Sequence, residues 1–256
     1  VRVFLTGASS GLGHALALAY ARRHPGVRLG LVARRAEPLD ALVAQLPAGA
    51  AVTYVLDVND REALARAACE FIGRFGAPDA VIANAGINGP TLTGTPGDER
   101  SFEQILRTNV VAMYDTFAPF VAAMRERRSG RLVGIASVAG VRGFPSLGGY
   151  CASKAAAIGY LESLRLELRG SGVRVVTVAP GYVRTPMTAG NRYPMPFLID
   201  ADVFARRAVA AIDAGRPFAV IPWQMAWVAR VLRVLPDALF DRAFARAPHK
   251  PRPPAP

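Results

Sequence analysis

A chain of 256 residues with 52% hydrophobic side chains is long enough for one α/β domain with a substantial core, without metal or disulfide staples. Its formal charge of +12 could signal nucleic acid, but Lys154 and Lys250 are its only lysines, and the arginines are scattered through helices and loops. No RNA- or DNA-binding motif accompanies them, so a nucleic-acid partner is not expected.

Residues 1–6 read as a buried strand that runs directly into a Gly-rich turn, leaving no room for a charged and apolar leader, so no secretory signal is expected. A helix follows at 13–23, a strand at 27–33, a helix around 39–46, a strand at 52–56 and a helix at 61–75. The alternation continues with a strand at 80–83, a long helix at 102–127, a strand at 131–136 and a helix at 150–169. Strands at 173–178 and 218–221 flank a last helix at 202–214. Short apolar runs rich in β-branched residues, separated by amphipathic helices, predict a Rossmann-like, doubly wound parallel sheet of about seven strands, with helices on both faces. Ligand chemistry then belongs at the carboxyl ends of the strands.

Three regions are expected: a catalytic and dinucleotide-binding domain over 1–222, an amphipathic helical extension over 223–247, and a proline-rich disordered tail over 248–256. In the extension, Arg230, Arg233 and Asp237 interrupt the apolar run, which is too short to span a membrane, and Pro236 should split it into two helices. It could pack on another subunit, cover a substrate pocket, or lie in an anionic membrane surface with Trp223 and Trp227 at the interface. Guiding an apolar substrate is favoured, with peripheral membrane contact secondary. Cys69 and Cys151 fall in helices without metal-ligand spacing, so no metal site or disulfide is expected, and the compartment is read as reducing and cytoplasmic.

The first strand leads into Thr6-Gly7-Ala8-Ser9-Ser10-Gly11-Leu12-Gly13 and then a helix. Absent side chains at Gly7, Gly11 and Gly13 allow a tight turn and close approach of a pyrophosphate, which the helix N-terminus would attract. An ordinary strand-to-helix turn is the alternative. About twenty residues on, where a carboxylate would bind the ribose 2′-hydroxyl of NAD, the chain reads Leu31-Val32-Ala33-Arg34-Arg35. With no acid there and a guanidinium suited to a 2′-phosphate, NADP(H) is preferred over NAD(H), with Arg34 the first candidate and Arg35 and Ser10 the next.

Tyr150 and Lys154 stand four apart in a helical stretch, so both project from one face. An ammonium beside a phenol is expected to lower the phenol's pKa towards the range of a general acid or base. Ser137 ends a buried strand, where it could meet that pair or simply cap a helix.

In order and spacing, the Gly-rich turn, Asp57, Asn84-Ala85-Gly86, Asn109, Ser137, Tyr150 with Lys154, and Pro180-Gly181 with Thr185 resemble the short-chain dehydrogenase/reductases over roughly residues 1 to 187. The resemblance implies that Tyr150 is the proton donor, that Ser137 hydrogen-bonds the substrate carbonyl, and that Asn109 marks a backbone irregularity serving a water relay to Lys154. It implies cofactor contacts from Gly7, Ser9, Ser10, Gly11, Leu12 and Gly13. Asp57 would face the adenine, Asn84 to Gly86 would pass under the cofactor, and Pro180, Gly181, Val183 and Thr185 would border the nicotinamide. The implied activity is that of an NADPH-dependent carbonyl reductase or alcohol dehydrogenase, in a homodimer or homotetramer. A catalytically idle dinucleotide sensor or scaffold is the alternative. Loop 187–199, with Tyr193, Pro194, Met195, Pro196 and Phe197, would form an apolar lid and fit an apolar or lipid-like carbonyl substrate.

Overall fold

The computed structural model describes residues 1–191 and 193–248. Its elements begin β1 (Arg2–Thr6), α1 (Gly11–Arg23), β2 (Arg28–Ala33), α2 (Ala36–Val43), β3 (Ala51–Val55), α3 (Arg61–Phe75) and β4 (Ala80–Ala83). They continue with α4 (Asp98–Leu106), a π-helical segment (Arg107–Val111), α5 (Ala112–Glu126), β5 (Gly130–Ile135), a 3₁₀ turn (Val138–Gly140), α6 (Gly148–Glu167) and β6 (Val173–Pro180). The last are β7 (Val183–Arg184), β8 (Ile199–Asp200), α7 (Ala201–Asp213), β9 (Phe218–Ile221), α8 (Gln224–Val234) and α9 (Asp237–Phe244).

Among the described residues, seven strands make one sheet in the order β3-β2-β1-β4-β5-β6-β9, every neighbouring pair parallel. The order reverses direction between β1 and β4, which opens a crevice at their carboxyl ends. Side chains alternate across the sheet, and the sequence obeys this: Val3 and Leu5 of β1 join the core beneath α1, α2 and α7, whereas Phe4 between them joins the core beneath α3, α5 and α6. Phe4 there packs edge-on against Phe71 and close to Phe120, with ring centroids 5.5 and 4.8 Å apart.

Several boundaries differ from the sequence expectations. The second helix begins at Ala36, not 39, because Pro38 falls in its first turn, where a missing N–H costs nothing. The long helix expected over 102–127 starts at Asp98, and five residues around Asn109 are π-helical, the backbone irregularity that the resemblance implies there. The expected loop 187–199 ends in β8, which pairs with β7.

Pro236 does divide the extension into α8 and α9. Its anchor is Arg142, in the connection between Ser137 and Tyr150. The Arg142 guanidinium donates to the carbonyls of Leu232 (3.0 Å) and Leu235 (2.8 Å), pairs with Asp237, and lies 4.3 Å from the Phe240 ring centroid. Phe144 of the same connection packs on Phe240 and Phe244. No helix among the described residues is long and apolar enough to cross a membrane. The expected tail, 248–256, lies outside the described residues except for Pro248.

Candidate active site

The carboxyl ends of β1, β4, β5 and β6 open into one cleft. Gly7, Ser9, Ser10, Gly11 and Leu12 line one side; Arg34, Asp57 and Asn84 to Gly86 continue it. Ser137, Tyr150, Lys154, Pro180, Gly181, Val183 and Thr185 close the other. Two of the sequence-predicted residues, Gly13 and Asn109, stand behind this lining and act through it.

The glycine turn is built for close approach. Gly7 and Gly11 adopt φ of +68° and +54°, left-handed conformations in which a Cβ is strained. A Cβ on Gly13 would stand 2.1 Å from the Gly7 carbonyl oxygen, so the first turn of α1 sits on the backbone of the turn before it. Asn84 ties β4 to the same place, its Nδ2 donating to the carbonyls of Thr6 (2.9 Å) and Gly7 (3.2 Å). The Thr6 hydroxyl accepts from the N–H groups of Asn84 and Ala85 at 3.1 and 3.2 Å. Thr6 was not among the expected site residues, because a threonine ending a strand carries no signal of its own. The N-terminus of α1 has neither a side-chain cap from Ser10 nor an acid in its first turn. Uncapped N–H groups beside a glycine-floored cleft fit the phosphates of a dinucleotide.

Asn109 is 1% exposed, and its amide is fully committed to positioning. Its Oδ1 accepts from the Ile87 N–H at 2.8 Å, and its Nδ2 donates to the Ile87 carbonyl (3.0 Å) and to Ser153 Oγ (2.9 Å). Ser153 in turn donates to the Tyr150 carbonyl at 2.7 Å. The π turn thus aims one side chain at both the Asn84–Gly86 turn and α6, as an unpaired helical register at a functional site does. Ser153 and Ile87 are further residues that the sequence did not mark.

Tyr150 is half-buried, and the Ser137 hydroxyl stands close enough to act on its phenol. Ser137 Oγ also accepts from the Ala139 N–H at 3.1 Å, so it both caps the 3₁₀ turn and meets the tyrosine. Lys154 is 5% exposed, donates to the Ile135 carbonyl at 2.8 Å, and lies 5.8 Å from the Tyr150 ring centroid. One expectation needs correcting here. Burial pushes the Tyr150 phenol above its ordinary value, and the Ser137 hydroxyl only partly opposes that. Burial also lowers Lys154 to about 8, since desolvation penalises the charged form of each group. Beside the pair, the buried Cys151 thiol is pushed up by the same cause.

At the other end of the cleft, Asp57 Oδ1 accepts from the Asn59 N–H at 2.9 Å and Oδ2 faces Arg34 Nη1 at 3.9 Å, a loose and exposed pair. Arg35 is exposed beside it as the N-cap residue of α2.

The buried lysine carries a stability prediction. Its folded value of about 8 lies below its ordinary 10.5, so the unfolded chain binds more protons between those values and stability rises with pH across that window. Tyrosines such as Tyr54, raised to about 12, act oppositely only above pH 10. Relative to Lys154→Met, the parent should therefore gain about 2 kcal/mol between neutral pH and about pH 9.5, read from urea midpoints. Parallel pH profiles for the two proteins would show that the ammonium is not desolvated.

Comparison with known proteins bears on the whole arrangement. The family model described as short chain dehydrogenase matches residues 2–195. An uncharacterized oxidoreductase of Myxococcus xanthus is 41% identical over 244 residues, 94% of this chain and 95% of its own length. A 3-oxoacyl-(acyl-carrier-protein) reductase of Thermotoga maritima is 34% identical over 187 residues, 72% of this chain and 74% of its own. Among solved structures, levodione reductase aligns with a TM-score of 0.75 at 27% identity, over 86% of this chain and 95% of that one.

Proposed function

Because the chain belongs to the short-chain dehydrogenase family, we propose that it is an NADP(H)-dependent carbonyl reductase whose substrate is an apolar ketone or the corresponding alcohol. The observation that carries this reading is a single cleft in which Ser137, Tyr150 and Lys154 meet the glycine turn, with Arg34 at its far end. A nicotinamide dinucleotide bound there supplies or accepts the hydride. Ser9 to Leu12 and the α1 N-terminus would hold its phosphates, and Asn84 to Gly86 would lie beneath it.

The chain's own residues handle the proton and the orientation. A carbonyl oxygen seated between Ser137 and Tyr150 accepts a hydrogen bond from the serine and the proton from the phenol. The raised pKa of Tyr150 keeps that proton on the phenol through neutral pH, as a donor requires. Lys154, fixed on the Ile135 carbonyl, holds positive charge near the ring when the phenol gives its proton up. Asn109 keeps the Ile87 backbone and α6 in register, so the three groups arrive pre-positioned. Oxidation of an alcohol uses the same residues in reverse. A protein that merely binds a dinucleotide has no need of this acid/base set.

Two further observations support the finer parts of the reading. Arg34 has only a loose acidic partner in Asp57, so a 2′-phosphate can recruit it, and no carboxylate stands at the end of β2 to take a 2′-hydroxyl. Pro186 and Met187 line the cleft ahead of the loop that carries Phe197, itself 50% exposed, which suits an apolar substrate.

Arg34→Ala tests the cofactor assignment. Charge-assisted hydrogen bonds of this kind contribute about 1.5–3 kcal/mol, so NADPH should bind roughly ten- to a hundredfold more weakly while NADH changes little. Equal losses for both cofactors in a fluorescence titration would overturn the role of Arg34 and shift the phosphate to Arg35 or Ser10.

A further inference from the structure

The outward face of α8 is apolar where a surface helix should be polar. Trp223, Trp227, Val231 and Val234 recur at the spacing of one helical face, and they are 64%, 60%, 58% and 79% exposed. Both tryptophans of the chain are on it. Single exposed apolar side chains are ordinary, but four on one stripe with two tryptophans mark a contact surface.

The helix cannot turn this stripe inward, because its other face is taken. Met225 and Ala229 are buried, and Met225 packs so tightly behind the cleft that a Cβ on Gly181 would stand 2.5 Å from its Cγ. Arg142 fixes the other end of the helix through the Leu232 and Leu235 carbonyls. Neither α8 nor α9 contributes to the lining of the cleft, so the stripe is not part of that wall.

Charge decides what should cover it. Arg230 lies on the stripe itself, its guanidinium 5.2 Å from the Trp227 ring centroid, and Arg233 flanks it. Arg242 and Arg246 follow on and beyond α9, while the acid nearest α8, Asp237, is already paired with Arg142. A second copy would bring the same arginines to the opposite side of the contact, with +12 on each chain. Anionic headgroups supply the countercharge instead, and tryptophan rings suit the boundary between headgroup and acyl chain. Eleven residues of helix span only about 16 Å, enough to lie in that boundary and not to cross it.

We propose that α8 docks this protein on the surface of an anionic phospholipid bilayer, through Trp223, Trp227, Val231 and Val234 with Arg230 and Arg233 at the headgroups. Docking sets the Pro180–Gly181 side of the cleft, directly behind Met225, next to the lipid. The inference goes beyond carbonyl reduction and does not depend on it.

Vesicle flotation tests it. The intact chain should float with vesicles of equal parts phosphatidylcholine and phosphatidylglycerol, and not with pure phosphatidylcholine, and high salt should weaken the binding. Trp223→Ala with Trp227→Ala should reduce partitioning more than tenfold. Arg230→Gln and Arg233→Gln should each reduce it about fivefold. All four side chains are exposed, and the one hydrogen bond at stake, from Arg233 to the Val141 carbonyl, is long at 3.4 Å, so unfolding midpoints should stay near the parent value and confirm that the variants are folded. Absence of flotation on the anionic vesicles, or tryptophan variants that float like the parent, would overturn docking. So would a drop in solution mass caused by Trp227→Ala in light scattering, which would assign the face to a second copy. Flotation is read without turnover, so its result stands apart from any failure of the carbonyl-reduction assay.

Discussion

Replacing Tyr150 by phenylalanine is expected to cut turnover by roughly 10²–10⁴-fold, the usual worth of a positioned general acid, while leaving dinucleotide binding nearly intact. The ring stays, so its packing in α6 and its distance from the Lys154 ammonium are preserved; only the hydroxyl that meets Ser137 is lost. Ser137 keeps its contact with the Ala139 N–H in the variant, so its position should change little. Steady-state turnover together with a cofactor titration makes the test. A phenylalanine variant that reduces a ketone at the parent rate would take the proton away from Tyr150 altogether.

Gly13→Ala should be nearly as damaging, by a different route. The added methyl would stand 2.1 Å from the Gly7 carbonyl oxygen and 2.6 Å from Asn84 Nδ2. Neither is the loose end of a side chain. The Gly7 carbonyl is backbone, and Gly7 cannot retreat, because the space where its own Cβ would point holds the Ala85 Cα at 2.8 Å. The strain must open the turn or push α1 off the sheet, costing about 3 kcal/mol, the upper range for overpacking. It should also weaken dinucleotide binding more than tenfold, since the same turn holds the phosphates. Gly73→Ala provides the contrast: it lies within α3 with nothing inside 4 Å of its Cβ position, and should gain about 0.5–1 kcal/mol of stability. Equal urea midpoints for the parent and the Gly13 variant would mean that the turn is not packed as described.

Much of this was legible in the chain itself, for reasons that can be named. Strands of a parallel sheet are short, mostly apolar runs, and all seven declare themselves that way; glycines between a strand and a helix, and a tyrosine four residues before a lysine, are local patterns. What escaped depends on contacts between distant segments. The family resemblance implies a backbone irregularity at Asn109, and the π turn is that irregularity; the residues Arg107-Thr108-Asn109-Val110-Val111 do not announce it by themselves, because the register is set by what Asn109 reaches at Ile87 and Ser153. Thr6 and Asn84 brace the cofactor turn through partners 76 to 79 residues apart. The direction of the Tyr150 shift escaped for the same reason. Spacing shows that an ammonium is near, but only packing shows how much water both groups have lost. Amphipathicity in α8 was visible too, yet which side faces outward is decided by Met225 behind Gly181 and by Arg142 at the helix end.

The Arg142 anchorage bears on how this protein is born. Its three polar partners follow it by 90, 93 and 95 residues. A nascent chain that has just emerged from the ribosome as far as Tyr150 has the serine, the tyrosine and most of the sheet on hand. It has Thr91, which holds Ser146 and Gly149, but none of the groups that hold Arg142. The part of the stretch between serine and tyrosine at Arg142 and Phe144 gains its partners only when α8 and α9 have been made, later than the residues on either side of it. Cleavage before Leu232 would take away all three polar partners of Arg142 while leaving the Thr91 contacts in place.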